Sequence, residues 1–396
     1  MHEPHEQHEA KLSDDVSNLS TIAVCALVAL VATASVFALT RSAGPAQDVA
    51  VLPSDVAPAI SVVPLVPVIP VVDVDAGADR LYGHVVTKGG AQLQGYLRWD
   101  GHESSWADVL RATRPGGSAL AGVRFGNIRR LQPMGGRDLE LTLKTGQVVR
   151  LNAVAQQGSA ALSPLTVETD GRFVEVPMRD LESVEFLPEP LDRAPSAERL
   201  HGTLITRSGL GFTGYIAWDL DQSLESAMLH GPHRQIPFSE ITSIVRVGDQ
   251  GLLVGLADGS ETELSGTPDL AESNRGIVVS DPALGVVVVP WRQFQELRLY
   301  RPEKPATYEH FVGGEALAGS VVTTSGETLT GLVRWDMDEQ STWELLDGEL
   351  DGIQFHIELS RVSTIEKFRY GAKVDLLDGR SFYLCVERRQ LVEQRH

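Results

Sequence analysis

From Gly83 onward, apolar and polar residues alternate in short runs, and each run is broken by a small or polar residue followed by glycine. The breaks are Gly89-Gly90, Thr145-Gly146, Ser208-Gly209, Asp258-Gly259, Ser325-Gly326 and Asp378-Gly379. A period of two predicts half-buried strands. Two-residue hairpin turns need positive φ, which glycine supplies at low cost. The pattern therefore predicts six β-hairpins. All but the last are followed by a second pattern, with apolar residues at one, three, six and nine: VRFGNIRRL from Val123, VPMRDLESV from Val176, IPFSEITSI from Ile236, VPWRQFQEL from Val289 and IELSRVSTI from Ile357. It predicts a strand end, one short helical turn and a final strand.

Three of the hairpins open a longer repeat. Gly83, Thr87, Gly90, Gly95, Trp99 and Asp100 form one row; Gly202, Thr206, Gly209, Gly214, Trp218 and Asp219 a second; Gly319, Thr323, Gly326, Gly331, Trp335 and Asp336 a third, all with identical spacing. Self-similarity of this kind marks a repeat architecture. The chain reads as three tandem β double modules, at 80–190, 198–302 and 315–396. Each half is a hairpin, variable strands, a helical turn and a last strand. The third double module shows no closing turn and strand after VDLLDGRSFYL, so its last half is expected to be incomplete. Unpaired backbone groups invite pairing, so an open strand edge is expected near 374–388, available to a protein partner or to self-association. The apolar segment SVVPLVPVIPVV is a second candidate to cover it.

The order of a VxLxDG-type hairpin (VGLADG from Val254, VDLLDG from Val374) followed by an IPxxxI-type turn resembles the Sm-like and SH3-like small β-barrels. The likeness spans most of residues 81–388 and implies an all-β fold of small barrel-like modules. It carries no ligand-binding residue to this chain, and the acidic charge departs from RNA-binding Sm proteins.

The repeated Trp-Asp pair reads as structural. Trp99 is in phase with Leu97, Trp218 with Ile216 and Trp335 with Val333, as core residues of a strand should be. Asp100, Asp219 and Asp336 fit the strand exit, where a carboxylate accepts backbone N–H bonds. The functional rival is a sugar or peptide platform. Its better candidates are Trp106 and Trp343, which lie after the pair, do not share a column and so are free of the common framework. DLDQSLE from Asp219 places oxygen side chains at alternate positions but lacks the glycine of a calcium loop. Nucleophile-elbow and P-loop motifs are missing. His84 and His201 flank row-start glycines without a counterpart in the third row. No catalytic residue, cofactor or metal site is assigned.

The N-terminal part has a different character. Residues 1–18 form an acidic tail with His2, His5 and His8, which lacks the zinc-protease pattern. The apolar run at 19–40 is long enough for one transmembrane helix, and its acidic leader argues against a cleaved signal. Residues 41–79, rich in Pro, Val and Ala, read as a semi-rigid linker. The formal net charge of −19 excludes nucleic-acid binding through phosphates. Cys25 and Cys385 give no disulfide framework.

The sequence thus predicts a single-pass membrane protein with its N-terminus cytoplasmic and an extracytoplasmic β-repeat body. The expected role is noncatalytic binding or scaffolding at the cell envelope. The alternatives are a cell-wall glycan-binding module and an enzyme with a site between modules.

Overall fold

The computed structural model describes residues 78–385 except 117–119, 156–161, 191, 232, 249–250, 267–272 and 337–338. The predicted anchor, nearly all of the linker and His2, His5 and His8 lie outside the described residues, as do 386–396. Among the described residues the protein is all-β with open sheets. No helix among them is long and apolar enough to cross a membrane.

The first double module contributes β1 (Tyr82–Thr87), β2 (Gln92–Arg98), β3 (Val109–Thr113), β4 (Leu120–Arg124), β5 (Ile128–Gly135), β6 (Asp138–Leu143), β7 (Val148–Ala153), β8 (Leu165–Thr169), β9 (Arg172–Val176) and β10 (Leu181–Phe186). The second contributes β11 (His201–Thr206), β12 (Gly211–Ala217), β13 (Met228–His230), β14 (Gln235–Pro237), β15 (Ile241–Val247), β16 (Gly251–Leu256), β17 (Glu261–Ser265), β18 (Ile277–Asp281), β19 (Gly285–Val289) and β20 (Phe294–Leu299). The third contributes β21 (Ala318–Val322), β22 (Thr328–Leu332), β23 (Leu345–Leu350), β24 (Ile353–Glu358), β25 (Val362–Phe368), β26 (Gly371–Leu376) and β27 (Ser381–Cys385). Single 3-10 turns at Phe125–Asn127, Phe238–Glu240, Trp291–Gln293 and Leu359–Arg361 stand where the IPFSEITSI-type pattern places a helical turn.

The six expected hairpins are present, but their turns are longer than expected. In each, the residue before the turn donates to a carbonyl four residues on, as in Thr87 N–H to Ala91 and Leu376 N–H to Arg380. The loop therefore has three residues, with glycine in the left-handed region (Gly90 at φ 81°, Gly379 at φ 90°). This is the type I turn with a glycine bulge, the next most common hairpin after the two-residue form.

Strand pairing differs more deeply from a string of self-contained halves. β2 does not pair with the next strand in sequence; it pairs with β8, while β1 pairs with β10. β3 pairs instead with β7. The first sheet has the order β4-β3-β7-β6-β5-β10-β1-β2-β8-β9. Its left five strands are one contiguous segment, β3 to β7. Its right five strands are the row hairpin completed by strands that arrive only after that segment. β5 against β10 joins the two groups. The first double module is thus an inner sub-sheet inserted into an outer one. The second repeats the outer group as β20-β11-β12-β18-β19, while its β13–β14 hairpin stands apart. β19 then pairs with β24, so the third module's inner group, β24-β23-β27-β26-β25, extends the same thirteen-stranded sheet.

Two apolar cores result. One lies in the first module and takes in Tyr308 and Phe311 from the connection before the third. The other is shared by the second and third modules.

The described part of the expected open edge, residues 374–385, belongs to the thirteen-stranded sheet, and Cys385 is the point at which β27 meets β23. β26 lies between β25 and β27, and β27 reaches β23. Val374, Leu376, Phe382 and Leu384 are buried. The physical reason is the inner/outer exchange: the sixth hairpin belongs to a contiguous inner group that closes on strands before it. Edge strands of the two large sheets are β4, β9, β17 and β25, and β21–β22 forms a two-stranded sheet by itself among the described residues.

Trp218 is fully buried against Phe238, Trp291 and Phe294, whereas Trp335 is half-buried. Trp218→Ala is expected to cost about 3–5 kcal/mol, as large aromatic truncations do, and Trp335→Ala clearly less. Denaturant unfolding followed by circular dichroism measures both; equal losses would contradict the difference in packing.

Candidate functional site: a buried charge cluster between the repeats

The densest set of buried charges lies where the three double modules meet. Asp108, Arg124 and Asn127 come from the first; Arg199, Ser280 and Asp281 from the second; Glu358 and Arg380 from the third. All but Arg380 are buried.

Asp108 sits just before β3, three residues past Ser105. Its carboxylate accepts the backbone N–H groups of Ser104 and Ser105 at 2.8 and 2.9 Å. It also accepts Arg199 Nη2 at 3.0 Å and Ser280 Oγ at 2.8 Å, both from the second module. Burial alone would raise its pKa, but Arg199's charge and hydrogen bonds, with the two backbone donors, hold it below the usual carboxylate value. Arg199 spends its remaining donors on the carbonyls of Ile216 and Ser223.

Arg124 ends β4 and is wholly buried. Its Nε lies 2.8 Å from Glu358 Oε2, and its Nη2 donates to the Asp281 carbonyl at 2.9 Å. Burial lowers its pKa, and Glu358 opposes that shift. Asn127 donates to Glu358 Oε1 at 3.1 Å and accepts the Gly313 N–H at 3.1 Å. Asp281 in turn meets Arg380 Nη1 at 2.6 Å. A line of alternating charge, Glu358–Arg124–Asp281–Arg380, thus passes between the modules. A further ion pair joins Arg114 to Glu344, which occupies Asp108's position in the third repeat and accepts the Gln340 and Ser341 N–H groups in the same way.

These side chains are paired with one another across the modules and bonded to backbone, although Arg124 Nη1 is buried without a hydrogen-bond partner. Buried ions persist only when paired and hydrogen-bonded, so the cluster acts as a clamp that fixes how the modules sit. Among the described residues, no three His, Cys, Asp or Glu side chains are grouped to hold a metal ion. Asp219 and Asp221, weighed as calcium ligands, both face Arg275.

The structure places the sequence-predicted residues as follows. Trp99 and Trp218 are core residues. Asp100, Asp219 and Asp336 adopt left-handed φ of 40°, 49° and 41° directly after the Trp. Asp100 Oδ1 accepts the Ser163 N–H at 2.8 Å and Asp219 Oδ1 accepts the Arg275 N–H at 2.7 Å. The row aspartate therefore holds the segment that leads into the returning strand, rather than a donor in its own turn. Trp106 and Trp343 are buried, at 0% and 2% exposure, so neither offers a ring face to a ligand. Their indole N–H groups donate to Glu189 and Gln147 at 3.1 Å. Trp106 also packs on Tyr308 at 4.5 Å between ring centroids. His201 is half-buried between the rings of Tyr215 and Tyr300, and desolvation lowers its pKa to about 4.

The clamp residues themselves escaped the sequence reading. Two signals in the sequence point toward them: an acidic-Arg-Leu triplet before two rows (Asp79-Arg80-Leu81, Glu198-Arg199-Leu200) and a Ser-x-x-Asp/Glu step after two rows (Ser105 to Asp108, Ser341 to Glu344).

No known protein family, curated protein or solved structure matches this chain.

Removing Arg199 leaves Asp108 charged and buried without its cation, a change that costs about 3–5 kcal/mol. Arg199→Met is expected to lower stability by that order. The Asp108→Asn/Arg199→Met double variant should lose less than the sum of the single losses. Additive losses in denaturant titrations would contradict the clamp.

Glu189 beside Trp106 gives a second test. Burial raises its pKa from 4.5 to about 7, against the lowering effect of the Trp106 N–H bond. The folded state then holds a proton that the unfolded state releases, so stability falls as pH rises between about 4.5 and 7. Glu189→Gln is expected to flatten this slope in thermal melts, and an unchanged slope would contradict the assignment.

Proposed function

We infer that the chain is a membrane-anchored β-repeat protein whose extracytoplasmic body has a noncatalytic binding or scaffolding role at the cell envelope. Residues 19–40 are the anchor, 41–79 the spacer, and the N-terminus is cytoplasmic. The five-strand groups are read as small barrel-like modules of the kind the Sm-like and SH3-like resemblance implies. The observation that carries the scaffolding role is the clamp. Asp108–Arg199, Arg124–Glu358 and Asp281–Arg380 tie three repeats into one body and spend their charges on each other. A scaffold needs fixed spacing between surfaces, and buried intermodule ion pairs supply it.

The glycan-binding alternative rests on solvent-facing Trp, and Trp106 and Trp343 give it no support. The enzyme alternative rests on reactive groups in an open site between modules; the groups found between them are paired and buried.

A reporter active only outside the cytoplasm, fused after Val386, is expected to give signal, with the full-length protein in the membrane fraction. A silent fusion, or a soluble product beginning near residue 40, would overturn the topology. A pull-down from intact membranes, with the protein at native level, then tests the binding role: specific co-purifying protein is expected, and its absence in wild-type and clamp variants alike would count against scaffolding.

A further inference from the structure

The third row hairpin, β21–β22, is built like the other two and lacks what the other two hold. In the first row the outer edge of β2 pairs with β8 and that of β1 with β10; in the second, β12 pairs with β18 and β11 with β20. Among the described residues β21 and β22 pair only with each other. The side chains follow suit. Leu332 is 81% exposed, while its counterparts Tyr96 and Tyr215 are 2% and 1% exposed. Leu329 and Val321 are exposed, whereas Phe212 and both Val85 and Leu204, in the same columns, are buried.

Six of the row glycines lie within the strands themselves: Gly83, Gly95, Gly202, Gly214, Gly319 and Gly331. None of these six has a positive φ, so backbone conformation does not require glycine there. In the filled rows the requirement is space. A Cβ on Gly95 would fall 2.0 Å from the Glu168 carbonyl oxygen, and one on Gly214 would fall 2.5 Å from that of Ser280. Gly83 and Gly202 face the carbonyls of Glu185 and Arg298 in the same way. Glycine in a strand is otherwise a loss, tolerated where another backbone comes close. The third row keeps both glycines. Yet a Cβ on Gly331 would meet nothing within 4 Å, and one on Gly319 only Val333 at 3.8 Å. The hairpin has the clearance for crossing strands without the strands.

The segments of this chain outside the described residues fit the role poorly. Residues 386–396 follow Cys385 as residues 266–276 follow Ser265, and in the second module that stretch is the connection before β18. In the spacer, Pro64, Pro67 and Pro70 are three apart. Prolines at that spacing fall alternately on both edges of a strand and remove N–H donors from each.

We propose that β21–β22 is an acceptor site for strands of a different protein, which docks by β-augmentation. The occupant has the chemistry of residues 165–186: an extended strand with alternate apolar residues that runs antiparallel to β22, a hairpin, and a turn-and-strand that runs antiparallel to β21. This names the partner class for the binding role above, but it stands on hairpin geometry alone and holds in any compartment.

The probe is a labelled synthetic peptide of residues 165–186, added to the full-length chain in mild detergent. Saturable binding is expected by fluorescence anisotropy, together with slowed amide exchange over residues 318–332. Gly331→Val should weaken binding by roughly ten- to a hundredfold, the scale of a steric clash of 1–3 kcal/mol. It should leave the thermal stability of the free protein unchanged, because the added side chain meets no neighbour there. Gly319→Val should act likewise from the other edge and serves if Gly331→Val does not fold. Absence of saturable binding, or binding indifferent to both substitutions, would overturn the proposal. So would a dimer formed without peptide and dissolved by Gly331→Val, which assigns the edge to a second copy. Hairpin protection in the free monomer that deleting residues 60–72 abolishes would assign it to the spacer.

Discussion

The architecture turns on one close contact, the passage of a strand's carbonyl over a strand glycine. At Gly95 and Gly214 the returning strand comes so near that any side chain would collide with its backbone. That approach lets the outer hairpin be closed by strands arriving after an entire inserted sub-sheet. The aspartate at the end of each filled row reinforces it. By turning left-handed after the Trp, Asp100 and Asp219 each direct a carboxylate oxygen at the backbone N–H of the segment that enters the returning strand. The Trp below seals the core on the same strand. The repeated Trp-Asp pair is thus a joint, with an apolar half facing inward and a polar half holding the incoming chain.

This arrangement separates local from distant pairing. The inner groups, such as β3 to β7, are contiguous in sequence, whereas the outer hairpin waits for β8 and β10. Loop-closure entropy must be met before distant pairings repay it, and the cores offset that cost through buried aliphatic and aromatic side chains. The intermodule charges contribute differently. Desolvation takes back much of what an ion pair gives, so Arg124–Glu358 and Arg199–Asp108 are better understood as fixing register between modules than as a large source of stability. An apolar contact tolerates sliding; a carboxylate that accepts five hydrogen bonds, as Asp108 does, tolerates little.

Much of the fold could be read from period and spacing. Alternation located the strands, and glycine after a polar residue located all six turns, because both are local properties of the backbone. The phase of Trp218 with Ile216 was enough to place it in the core. What the sequence did not disclose was non-local. Nothing in GYLRWDGHES says that β2 will bypass β3 for β8, since both strands offer similar apolar alternation. For the same reason an open edge was expected at the sixth hairpin, where the structure pairs β26 on both sides, while the hairpin that stands by itself among the described residues is the fifth. The clamp was hidden because Asp108, Arg124 and Arg199 resemble ordinary surface charges until the modules are docked. Trp106 and Trp343 were misleading in the opposite direction: being outside the shared framework suggested exposure, but both are buried in the core of the first module, Trp343 from across the module boundary. The anchor and spacer, in turn, rest on hydropathy and proline content.

The central claim is that the row hairpins are sockets, two filled by strands that return after an inserted segment and one that pairs only with itself among the described residues. Residue-resolved amide exchange on the monomeric full-length protein tests it most directly. The account predicts slow exchange at Tyr96–Arg98 and Tyr215–Ala217, where β2 and β12 meet β8 and β18, and fast exchange along Thr328–Leu332 at the donors facing the outer edge. Equal, strong protection of all three strands in the monomer would contradict it.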